Sequence, residues 1–179
     1  MNTEKSDHSP ALVIKAYNHL SEAERLSLED LYCRVFGESV TDFTWSQIDW
    51  VILVIVKGVI AAQVEIIERT VRVDTQEVKI GGVGGVGTLP EYRRRGYASL
   101  ALKTAEWFIR EELKASFGLL ITSHELVPFY QRLGWQLLEG EVLFDQPSGK
   151  VKLEGPAMCL SCAGQDWLPG SVDLCGYPW

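Results

Sequence analysis

Five of the seven residues from Gly81 to Gly87 are glycine, and this run, GGVGGVG, restricts the chain more than any other stretch. Each glycine inside a strand costs about 0.5–1 kcal/mol relative to alanine, so five together need an offset. Val78, Ile80, Val83 and Val86 argue for a strand rather than a loop. The offset is then close approach of a ligand to bare backbone, or a bulge that turns amides outward. An unbroken pleat sets Gly81, Val83, Gly85 and Gly87 on one face and Gly82, Gly84, Val86 and Thr88 on the other. A turn follows, TLPEYRRRG, and an apolar-periodic helix starts at Gly96. First-turn amides of a helix lack backbone partners and carry partial positive charge, so a strand running into this helix mouth makes an anion site. Gly96, Ala98 and Ser99 are small enough to let a phosphate approach.

Arg93, Gly96 and Ala98 fit the spacing Gln/Arg-x-x-Gly-x-Gly/Ala, behind Val86-x-Thr88-x-Pro90. A second cluster, Phe129-Tyr130-x-x-Leu133-Gly134-Trp135, closes a short helix downstream. In both places the chain resembles the GNAT N-acetyltransferases. The resemblance implies an α/β (α+β) fold, with roughly six to seven strands in a mixed, mostly antiparallel sheet and helices on both faces. It implies acetyl-CoA as co-substrate. The pyrophosphate is then held by the turn Arg93, Arg94, Arg95, Gly96, Tyr97, Ala98 and Ser99, and the pantetheine arm runs along Val86 and Thr88.

Composition narrows the partners. A formal charge of −7 excludes a nucleic-acid surface and favours a cationic small molecule, and the one basic cluster, Arg93 to Arg95, suits a polyphosphate. The longest apolar run, Trp50 to Val56, falls far short of the roughly 20 residues that cross a bilayer. The polar start MNTEKSDHS lacks the apolar centre of a signal peptide, which points to the cytoplasm. Four cysteines are too few for a disulfide framework. Cys159-x-x-Cys162 with Cys175 invites a zinc reading, but residues three apart on a strand face opposite sides, so small core residues are expected and no metal. Residues 1–9 are expected to be a disordered tail and residues 10–179 a single domain, with at most a second copy of the chain as a protein partner.

Pro10 to Tyr17 reads as a first strand, and Ser21 with Glu24 makes a capping box. Leu28, Leu31, Tyr32, Val35 and Phe36 then fall on one helical stripe. The mixed stretch ESVTDFTWSQID is expected to hold a short helix and a loop. Strands from Trp50, from Val59 and from residue 75 form an antiparallel meander. Ala98, Ala101, Leu102, Ala105, Phe108 and Ile109 stripe the next helix, and Phe117 to Ile121 is a buried strand reached by a right-handed crossover. Further strands lie between Trp135 and Ala163, joined by the turn at Pro147, and the Pro/Gly-rich end reads as irregular.

Acetyl transfer to an amine needs a neutral nitrogen, a polarised carbonyl and a proton for the leaving thiolate. The bulged strand offers the carbonyl a backbone amide near Val86. By resemblance, Tyr130 is the acid. Some relatives carry a glutamate where Gly84 stands here, so the base comes from elsewhere: His124, with Glu125, Glu65 and the terminal carboxylate as alternatives. Chain length, Asp42, Trp45 and the final Trp179 are similar to aminoglycoside 2′-N-acetyltransferases, which implies those three as acceptor-binding residues, although Tyr177 replaces an expected aspartate. The expected activity is direct transfer from acetyl-CoA to a primary amine of a small cationic acceptor, an aminoglycoside or a polyamine. A non-catalytic acyl-CoA-binding module and a protein or peptide amine acetyltransferase are the alternatives.

Overall fold

The computed structural model describes residues 9–37 and 43–179, so residues 1–8 of the expected tail, with Glu38 and Asp42, lie outside the described residues. The strands are β1 (Ala11–Ala16), β2 (Trp50–Val56), β3 (Val59–Val73), β4 (Gln76–Thr88), β5 (Phe117–Ile121), β6 (Gln136–Leu137), β7 (Val142–Gln146), β8 (Gly149–Lys152), β9 (Ala157–Ser161) and β10 (Val172–Asp173). The α-helices are α1 (Glu22–Phe36), α2 (Tyr97–Glu111) and α3 (Val127–Gln131). They form one mixed sheet in which β1, β2, β3 and β4 run antiparallel in succession and β5 lies parallel to β4. The long β3 forks the sheet: its first half pairs with β2, and its end pairs with β10, which leads on to β7 and β8. The ten strands exceed the expected six to seven: β6 and β10 are two-residue pieces, and β8 is a four-residue strand paired with β7.

Helices cover both faces because β2 is apolar at every position. Val51 and Leu53 meet Leu28 and Leu31 of α1, whereas Ile52, Val54 and Val56 meet Ala101, Leu102, Ala105, Phe108 and Ile109 of α2. The capping box at Ser21 and Glu24 is present, and Lys15 Nζ reaches Glu24 at 2.8 Å to tie α1 to β1. The α1 stripe is only partly used. Leu28 and Leu31 are buried, but Tyr32 and Phe36 remain 44% and 41% exposed because they look over a cavity rather than onto the sheet.

The unbroken pleat expected along β4 fails at one point. Gln63 pairs with Gly87 but Glu65 pairs with Gly84, so Gly85 and Val86 together oppose Val64. Gly85 takes φ +53° at this bulge. Past it the faces exchange, and Gly87, expected beside Gly81, points instead at Leu31, Val35 and Phe36 of α1. Not all of the bare faces serve a ligand: a Cβ on Gly81 would sit 2.4 Å from Ile109 Cγ1, and one on Gly82 would sit 2.6 Å from the Trp179 ring. Gly81→Ala is therefore expected to cost about 1–3 kcal/mol in chemical denaturation. Combined with Ile109→Ala it should cost less than the sum of the two single changes.

Two other expectations are affected. Of residues 38–49, expected to hold a short helix and a loop, residues 38–42 lie outside the described residues and residues 43–49 contain no helix, their polar groups being committed to distant chain: Thr44 N–H donates to Gln146 Oε1 (2.9 Å) and Ser46 N–H to the Pro178 carbonyl (2.8 Å). The C-terminal stretch is not wholly irregular, since β10 pairs with both β3 and β7. Among the described residues no helix is long and apolar enough to cross a membrane.

Candidate active site

Parallel pairing between β4 and β5 runs from Ile80↔Phe117 to Val83↔Leu120 and then stops, while β4 continues to Thr88. From Gly84 onward, among the described residues, that edge of β4 has no strand beside it. The gap begins where the bulge begins, so bulge amides and gap coincide.

At the end of β4 the chain makes a 3-10 turn over Pro90–Tyr92 and enters α2 through Arg94 and Gly96, both left-handed at φ +62° and +80°. Alternating left-handed residues turn successive amides toward one concavity. No described side chain caps α2, and its first internal bond is Leu100 N–H to the Gly96 carbonyl, so the amides of Tyr97, Ala98 and Ser99 are left for a ligand. Nothing lies within 4 Å of a Cβ built on Gly96. Arg93 Nε donates to the Thr88 carbonyl (3.2 Å) and Arg95 to the Glu91 carbonyl (3.1 Å), which fixes the turn, and all three arginines are exposed. Thr88 Oγ1 is buried without a protein partner. Open amides, clear space and an orphaned hydroxyl along one path fit a pantetheine diphosphate.

On the α1 face of the sheet lies a cavity of about 470 Å³, lined by α1, residues 45–48, β3 and Trp179. Glu65 and Gln63 reach it from β3, two residues apart and therefore on one face. The Glu65 carboxyl is pressed against the bulge so closely that a Cβ on Gly85 would overlap it. Gln63 Nε2 donates to Glu65 Oε1 (3.2 Å) and to the Gly85 carbonyl (3.1 Å). Burial pushes the Glu65 carboxyl up from 4.5 to about 7, and the Gln63 hydrogen bond offsets only part of this. Trp45 and Trp179 both line the cavity. Arg69 anchors this wall, donating to the Tyr177 carbonyl (2.6 Å) and to Ser46 Oγ (2.6 Å) with its guanidinium 5.3 Å from the Trp179 ring centroid.

Tyr130 of α3 is buried in the cluster under α2 that also takes Val83 and Leu120, the last paired residues before the gap. Burial raises its hydroxyl to about 12, and a hydrogen bond with Thr122 pulls slightly the other way. Val86 packs against the same cluster. His124 and Glu125 sit exposed in a 3-10 turn after β5 and do not line the cavity. Cys159 and Cys162 are buried, with thiols raised to about 11 and 12 mainly by burial. Among the described residues no three His, Cys, Asp or Glu side chains converge.

Sequence reasoning underweighted Glu65 and missed Gln63, Glu29, Tyr32 and Phe36 as cavity residues. A signal was available: Gln63 and Glu65 are the polar pair inside the apolar run VIAAQVEII, on one strand face, and every other residue of 60–67 is buried.

A family model described as an acetyltransferase (GNAT) domain matches residues 16–138. A search of curated proteins found no match. Among solved structures, the GNAT family N-acetyltransferase YhbS of Escherichia coli, in complex with CoA, aligns with a TM-score of 0.69 at 15% identity over 97% of this chain and 94% of that one. Escherichia coli ElaA gives 0.61 at 16% identity over 85% and 99%. A GNAT family acetyltransferase of Brucella melitensis, in complex with acetyl-CoA, gives 0.59 at 13% identity over 90% and 94%. Likeness at these identities is likeness of fold, and the family rests on the sequence model: matched over more than half its length, the chain belongs to the GNAT acetyltransferases.

Proposed function

We propose that the protein transfers an acetyl group from acetyl-CoA directly to the primary amine of a small cationic acceptor. The observation that carries this reading is Glu65, a carboxyl titrating near 7, held against the bulge at the floor of an aromatic cavity. An alkylammonium with pKa near 10 is only about 0.1% neutral at pH 7, so a base must precede attack. Glu65 takes that proton, and Gln63 holds the carboxylate in place. His124, exposed and outside the cavity lining, gives way to Glu65 in this role.

Bound acetyl-CoA supplies an acyl carbon activated as a thioester. The amides of Tyr97, Ala98 and Ser99, with Arg93, Arg94 and Arg95 around them, hold its diphosphate, while Val86 and Thr88 flank the arm. The Val86 amide polarises the carbonyl as the amine nitrogen bonds to carbon and the C–S bond breaks, its electron pair leaving on sulfur. Tyr130 keeps its proton at neutral pH and donates a hydrogen bond to that sulfur. A phenol near 12 gives a full proton to a thiolate near 8.5 only uphill, so Tyr130 acts by stabilising charge, and the proton shed by the acylated nitrogen as it becomes an amide, carried through solvent, converts the thiolate to the thiol. Val64 and Ile66 face α2 whereas Gln63 and Glu65 face the cavity, so donor and acceptor approach from opposite sides of the sheet.

Trp45 and Trp179 stand in the acceptor cavity, which makes aminoglycosides and polyamines the first acceptors to try. The direct test is amine-dependent release of free thiol from acetyl-CoA. Silence across a broad amine panel, with CoA still bound, would leave a CoA-binding module without transfer activity. In an active enzyme, Tyr130→Phe should lower kcat by about tenfold and leave the KM for acetyl-CoA unchanged. Unchanged kcat would reduce Tyr130 to a packing residue.

A further inference from the structure

Gln63 does more than hold a carboxylate. It is 1% exposed, and the end of its side chain meets two oxygens: Nε2 donates to Glu65 Oε1 (3.2 Å) and to the carbonyl of Gly85 (3.1 Å). A backbone carbonyl only accepts, so the side-chain amide is fixed with its nitrogen toward the bulge. Its own Oε1 is left buried without a partner among the described residues. A buried oxygen without a donor costs free energy that a methionine of similar length would avoid. Methionine, however, could hold neither Glu65 nor Gly85.

The carbonyl of Gly85 and the N–H of Val86 belong to one peptide unit. That unit is planar and trans, so its two bonds point in opposite directions. Gln63 stands on β3, and its bond to Gly85 therefore turns the Val86 N–H away from β3, toward the edge of β4 that β5 leaves unpaired. That edge is where the transfer reading places the thioester carbonyl. A donor on the Gly85 oxygen also polarises the peptide and strengthens the N–H at its far side. Strand pairing gives little help here, because the register between β3 and β4 slips and Gly85, at φ +53°, has no side chain to brace it. We infer that Gln63 is a positioning residue for both halves of the reaction: one amide nitrogen sets the Glu65 carboxylate on the acceptor side and aims the Val86 amide on the thioester side. The inference rests on the acetyl-transfer reading and deepens it.

The test is infrared difference spectroscopy of acetyl-CoA carrying a heavy carbon isotope in its thioester carbonyl, bound without any amine to the parent, Gln63→Met and Gln63→Asn proteins. Asparagine keeps the amide but withdraws it by a methylene, so loss of fold in one variant leaves the other to be read. In the parent the carbonyl stretch should fall on binding, as a hydrogen bond from the Val86 amide requires. In both variants at least half of that fall should disappear, while the Kd for acetyl-CoA, set at the mouth of α2, stays within about twofold. On the acceptor side, the Glu65 carboxyl titration, assigned by its loss in Glu65→Gln, should move above about 7 in both variants, since the Gln63 hydrogen bond lowers it. Tyr17, Glu29, Tyr32, Cys33 and Trp179 face the same cavity and are the same in all three proteins, so that movement reports Gln63. A residue that merely packs would alter stability and leave both signals in place. A parent shift that survives in the folded variants, or a Glu65 titration that does not move, would overturn the inference and leave acetyl transfer standing. No shift in the parent, with acetyl-CoA bound, would overturn the inference together with the Val86 step of the transfer reading.

Discussion

Glu65→Gln should lower kcat by about a hundredfold or more while making the protein more stable at alkaline pH. The catalytic half follows from the proton. Gln has no basic atom, so it keeps the shape of the Glu65 side chain and an oxygen for Gln63 to donate to, but cannot accept the ammonium proton. In the unmodified enzyme, kcat/KM should rise about tenfold per pH unit below about 7 and level off above it, since only the ionised carboxylate is a base. That limb should vanish in the variant. The stability half follows from linkage. Folding raises this carboxyl from 4.5 to about 7, so between those values the folded state holds a proton that the unfolded chain has lost. Stability contributed by the group is full below the lower value, falls as pH rises through the window, and stays reduced above it, by up to about 3 kcal/mol. The variant escapes this loss, so its gain in Tm should be larger at pH 8 than at pH 5. A Glu65→Gln enzyme with normal turnover would transfer the role of base elsewhere.

Gly96→Asp should abolish useful affinity for acetyl-CoA with little damage to the fold. Gly96 sits at φ +80° with nothing within 4 Å of a built Cβ, so aspartate fits the space, and aspartate tolerates the left-handed region better than most residues. A carboxylate at the mouth of α2 also favours the helix, interacting with its dipole and with the open amides of Ala98 and Ser99. Those are the donors assigned to the diphosphate, and the new charge repels it. The Kd for CoA should rise by about a hundredfold or more, since hydrogen bonds to charged groups are each worth about 1.5–3 kcal/mol. Unfolding free energy should stay within about 1 kcal/mol of the parent. Isothermal calorimetry with CoA and a denaturant titration check the two halves, and an unchanged Kd would move the diphosphate away from α2.

Local features of the sequence carried most of the architecture. The α2 stripe is buried at Ala101, Leu102, Ala105, Phe108 and Ile109, because period 3.6 needs no tertiary information to be seen. The parallel crossover to β5, the glycine at the entry to α2 (Gly96) and the glycine just past α3 (Gly134) were equally local. The bulge was foreseen as a kind of feature but not as a place. A glycine run has no side-chain alternation from which to read the slip at Gly85 and Val86, so Gly87 was assigned to the wrong face. The proposed base was harder still. His124 attracted attention because its ordinary pKa is near neutral, whereas Glu65 reaches that range only through burial, a property of the assembled sheet. The packing of Trp179 on Gly82 joins residues nearly a hundred positions apart, which no window on the sequence spans.

The most direct measurement is a crystal structure with CoA bound. The diphosphate oxygens should lie about 3 Å from the amide nitrogens of Tyr97, Ala98 and Ser99, with the sulfur in the gap beside Gly84 to Val86 and between the Tyr130 and Glu65 side chains. A diphosphate bound away from the α2 mouth, or a sulfur on the far side of the sheet from the gap, would contradict the account.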